Sequence, residues 1–77
     1  MDAGVDLTDG VLRVAAGAGP GADAGVFLHG RLVLFLTGPA AARLVALARR
    51  ALCPDPPAGA WADLHGFVAL HARPGAV

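Results

Sequence analysis

Val26–Leu52, VFLHGRLVLFLTGPAAARLVALARRAL, constrains this chain more than any other stretch. It holds the densest apolar residues and the only convincing helix. Two apolar runs flank Leu28-His29-Gly30-Arg31. A two-residue type I′ hairpin needs positive φ at both central positions. Glycine adopts that conformation freely, and histidine is among the residue types enriched there. Such a turn sets Phe27 opposite Leu32 and Val26 opposite Val33. The second strand, Arg31–Leu36, does not alternate cleanly: Leu32, Leu34 and Leu36 point to one face, Val33 and Phe35 to the other. A strand apolar on both sides is usually covered on both sides, so the pattern predicts a central strand with a helix over one face.

The helix follows directly. Thr37 is placed to be its N-cap, and Pro39 suits the first turn, where a missing N–H is no loss. At 100° per residue, Ala40, Ala41, Leu44, Val45, Leu47, Ala48, Ala51 and Leu52 fall on one continuous arc, and Arg43, Arg49 and Arg50 fall outside it. That is an amphipathic pattern. Arg49 and Arg50 lie in the last turn, where the helix dipole favours cations. Pro54 marks the end.

Upstream, Val5–Val14 reads as a hairpin about Asp9-Gly10, a favoured two-residue turn. That turn pairs Leu7 with Leu12 and Val5 with Val14 on one face, and Asp6 with Arg13 on a second, wet face. Residues 15–25, AAGAGPGADAG, read as a flexible loop with nothing to pack. Their glycines invite comparison with phosphate-binding loops. Those loops run from strand to helix and normally carry a Lys or a distal acid; here a strand follows and the chain has no Lys. Residues 54–60, PDPPAGA, read as a stiff connection. Trp61–Ala72 reads as a third hairpin about His65-Gly66, because Leu-His-Gly occurs here as it does at Leu28–Gly30. Residues 73–77 read as a frayed tail. The expected architecture is one small α+β domain over 1–77: an antiparallel hairpin meander, order ββββαββ, with a single amphipathic helix on one sheet face.

Composition limits function. With 77 residues the core alone supplies roughly 3–5 kcal/mol, so chains of this size often lean on disulfides, a metal or a second subunit. One cysteine excludes an intrachain disulfide, and self-association is the commoner of the remaining two. The chain lacks Lys, Glu, Ser, Tyr, Asn, Gln and Ile, a bias that points to a high-GC bacterial genome. It also removes a serine nucleophile and a lysine for Schiff-base chemistry. Formal net charge is zero, which leaves no overall field to steer nucleic acid or anionic membrane. The acidic start MDAGVD is unlike a signal peptide, and the apolar run Leu32–Leu36 is too short to span a bilayer. A cytoplasmic protein is expected.

Side chains that might carry chemistry are few. His29, His65, His71 and Cys53 are the candidate soft-metal ligands, but they lack the paired short spacing of a structural zinc site. The turns account for His29 and His65. Cys53 follows a helix C-terminus, where the dipole disfavours a thiolate. No catalytic residue, cofactor or metal is therefore assigned. Arg43, Arg49 and Arg50 form a basic helix face open to phosphate contacts, without interleaved aromatics or base-reading Asn and Gln. An apolar sheet face left uncovered on so small a chain reads as a subunit interface. Leu32, Val33, Leu34 and Phe35 are expected at it, with Trp61 and Phe67 extending it. The sequence thus favours a non-catalytic protein-interaction or assembly module, pairing with itself or with another protein. A nucleic-acid-associated regulator is the alternative.

Overall fold

A computed structural model describes residues 4–17 and 22–72. Four strands, β1 (Val5–Thr8), β2 (Leu12–Ala16), β3 (Ala24–Leu28) and β4 (Arg31–Leu36), precede two helices, α1 (Gly38–Ala51) and α2 (Ala60–Ala72). The strands form one antiparallel sheet in the order β1-β2-β3-β4. The class is α+β, as expected, but among the described residues the order is ββββαα, with two helices where one was expected.

The β1–β2 hairpin keeps its expected faces and shifts its register by two residues. Leu7 pairs with Val14, and Asp6 with Ala15. Asp9 explains the shift. Its carboxylate accepts the backbone N–H groups of Val11 and Leu12 at 2.9 and 2.8 Å, which lengthens the turn beyond Asp9-Gly10. A slip of two, unlike a slip of one, leaves every side chain on its original face. The expected 15–25 loop is shorter than its composition suggests. Ala15 and Ala16 pair with Gly25 and Ala24 inside the sheet, and residues 18–21 lie outside the described residues.

The turn of the β3–β4 hairpin is as expected. His29 and Gly30 have φ of 52° and 79°, and Phe27 faces Leu32. One residue further, a β-bulge intervenes: Val26 pairs with Leu34, which leaves Val33 as the extra residue. The bulge overturns two expectations. Leu32 does not share a face with Leu34, and Val26 does not face Val33. β4 is also an edge strand; β2 and β3 are central. A strand greasy on both sides here reflects one covered face and one open face.

α1 buries Ala41, Leu44, Leu47, Ala48 and Ala51, all on the arc its period defines. Thr37 occupies the N-cap with extended backbone but makes no side-chain cap bond. The Leu52 N–H closes the far end on the Ala48 carbonyl at 2.8 Å. Trp61–Ala72, expected as a hairpin, is helical. Gly66 carries no positive φ, and Leu64 is fully buried. Trp61, Leu64, Phe67, Val68 and His71 recur at helical spacing toward the core side. Gly59, at φ 84°, turns the chain into α2, and its carbonyl accepts the Asp63 N–H at 2.9 Å. Asp63 in the first turn and His71 in the last suit the helix dipole. Both helices pack on the same face of the sheet, with Leu12, Val14, Ala24 and Val26 beneath them.

Candidate interaction surface

The strand register arranges the outer sheet face into two rows. One runs Asp6, Ala15, Gly25, Phe35 across the four strands; the other runs Thr8, Arg13, Phe27, Leu32. Neither helix covers these rows. Leu32 and Phe35 are 50% and 56% exposed, beside half-buried Phe27. The bulge makes this possible, because it brings both Leu32 and Phe35 onto the open face while Leu34 packs against the core.

The rows are polar at the β1–β2 end. Arg13 Nε and Nη2 donate to the two carboxylate oxygens of Asp6 at 2.7 and 2.8 Å, a bidentate geometry that fixes the guanidinium. The same guanidinium lies 5.5 Å from the centre of the Phe27 ring, within cation–π range. The hydrogen bonds from Arg13 hold the Asp6 carboxyl below its usual range, and Asp6 raises Arg13 in turn. An open depression of about 410 Å³ runs from Phe27, Leu32 and Phe35 past Ala15 and Gly25 to Gly17 and Asp23. Leu32 leans over Gly25 closely: a Cβ at Gly25 would lie 3.1 Å from Leu32 Cδ1.

The six residues expected at an interface do not come together. Leu32 and Phe35 share the outer face. Val33 turns to the helix side, where it lines a smaller apolar groove with Leu28, His65 and Val68. Leu34, Trp61 and Phe67 pack against the core. The hairpin reading gave Trp61 and Phe67 a place on the sheet, and a helix on the opposite face removes it. Asp6, Arg13 and Phe27 belong to the outer face instead. Carrying the Asp6–Arg13 wet face across from β2 to β3 would have located them.

Arg43, Arg49 and Arg50 are exposed on α1. Arg50 Nη1 lies 3.4 Å from Asp63 Oδ2 of α2, a solvent-exposed contact of small energetic weight. The ring of His65 meets Trp61 edge-on at 5.3 Å. His71 Nδ1 donates to the Phe67 carbonyl at 3.0 Å. The Cys53 thiol, exposed, donates to the Arg50 carbonyl at 3.3 Å. Among the described residues no three His, Cys or Asp side chains are grouped to hold a metal ion, and no helix is long and apolar enough to cross a membrane. No protein-family model matches the chain, and no curated protein or solved structure is significantly similar to it.

Proposed function

We propose that the chain is a small, non-catalytic assembly module that pairs with a second copy through its open sheet face. The observation that carries this reading is the exposure of Leu32 and Phe35 beside Phe27 on a face that neither helix covers. Large apolar side chains grouped in this way mark contact surfaces on soluble domains. The bulge at Val33 favours the face over the β4 edge. It interrupts the regular ladder of donors and acceptors that β4 would otherwise offer to an added strand.

Sedimentation across a concentration series tests the reading. The wild-type chain is expected to pass from monomer to dimer. Phe35→Asp is expected to stay monomeric and folded, because the side chain lies outside the core, with a melting temperature that, unlike the wild type's, does not rise with concentration. A folded wild-type chain that remains monomeric at millimolar concentration, or a Phe35→Asp variant that dimerises normally, overturns the reading.

A further inference from the structure

The two rows on the outer face are complementary to each other, and this says how two copies meet. Given the reading above, on which this step rests, the geometry points to a face-to-face pair about a two-fold axis that runs across the strands, between the rows. Such an axis lays each row on the other row of the partner. The row Asp6, Ala15, Gly25, Phe35 is low in its middle; the row Thr8, Arg13, Phe27, Leu32 is high in its middle. Exchange sets Phe27 of one copy over the low middle of the other's row, at the margin of the depression that Ala15 lines. It also sets Phe35 against Leu32, apolar on apolar.

Charge agrees with shape. The same axis places Arg13 of each copy over Ala15 of its partner, one strand from the partner's Asp6. The two ion pairs then form a ring of alternating sign. Each Arg13 is already held by its own Asp6 through Nε and Nη2, so Nη1 is free to reach across. A two-fold axis parallel to the strands sets Arg13 on the partner's Phe27 but carries it two strands from the partner's Asp6, so the ring of alternating sign is lost. It lays each row on itself reversed, which puts Asp6 against Phe35 and leaves the carboxylate facing an aromatic ring. Aligned packing of two sheets about 10 Å apart is a common arrangement, and a two-fold contact is self-complementary by construction. Arg13 thereby becomes the residue that selects the partner's orientation, and Gly25, buried beneath the chain's own Leu32 and Phe27, the one that keeps the middle of its row low.

The experiment is an isotope-filtered NOE measurement on an equal mixture of ¹³C-labelled and unlabelled chains. Contacts between copies are expected from the Phe27 ring to the Ala15 methyl, and from the Phe35 ring to the Leu32 methyls. A dimer whose contacts run from Phe35 to Asp6 overturns the orientation and leaves pairing through this face intact. Contacts confined to the helices overturn both, as does the absence of any dimer. In a second arm, Arg13→Asp is expected to weaken the dimer about tenfold or more at low salt, and Asp6→Arg combined with Arg13→Asp to restore it. Failure of the double variant to recover, with both chains folded, overturns the role given to Arg13.

Discussion

The Asp9 carboxylate accepts the Leu12 backbone N–H at 2.8 Å, and this one bond reshapes the first hairpin. With the Val11 N–H also bound, the acceptor load holds the Asp9 carboxyl below its usual range, the Leu12 bond contributing most. A carboxyl depressed in the folded chain stabilises it above the unfolded value, about 3.9, and that contribution fades as pH falls through the folded value. Asp6, lowered by Arg13, has the same sign. Melting temperature is therefore expected to fall on acidification below about pH 4. Asp9→Ala should melt lower than wild type at neutral pH, with the gap closing in acid. Asp9→Asn, which keeps an acceptor oxygen, should fall between the two. A gap that persists unchanged through the acid range would contradict this account.

Gly30 and Gly66 both follow Leu-His, yet their alanine variants should move stability in opposite directions. Gly30 has φ 79°, so Gly30→Ala should cost about 1–2 kcal/mol. Gly66 is helical, with open space where a Cβ would sit, so Gly66→Ala should gain about 0.5–1 kcal/mol. Urea titration of both variants gives the two signs directly.

Leu44 and Leu64 are fully buried, one on each helix. Leu44→Ala and Leu64→Ala should each lose about 2–5 kcal/mol. The loss at Leu64 bears on α2 in particular. Were residues 60–72 a peripheral hairpin, truncation there would cost far less.

Deleting Val33 should remove the bulge and leave Leu32 and Phe35 on the same face, because the pairs on either side already match. The edge would then present an uninterrupted ladder, and strand addition should follow. Light scattering on heating, compared with wild type, reads this out.

The second hairpin was legible because His29-Gly30, which takes positive φ at both residues, stands between two apolar runs of strand length. α1 was legible because its period repeats over fourteen residues. α2 was hidden by the second Leu-His-Gly. Identical tripeptides adopt different conformations here because Leu64 is drawn into the core beside α1, whereas Leu28 stands at a sheet margin, 42% exposed. Local turn chemistry is a weak prior against burial of that kind. The spacing of Trp61 to His65 and of Phe67 to His71, four residues each, was the available signal. The open face was only half legible. An apolar Leu32 and Phe35 could be read from residue types, but their common side depends on a bulge that alternation alone does not reveal.

A kink one residue long also limits how one margin of the sheet can grow. A smooth outer strand keeps accepting neighbours, each addition exposing another rim, and ends in a filament. With the β4 rim interrupted at Val33, the sheet is checked from extending past that strand.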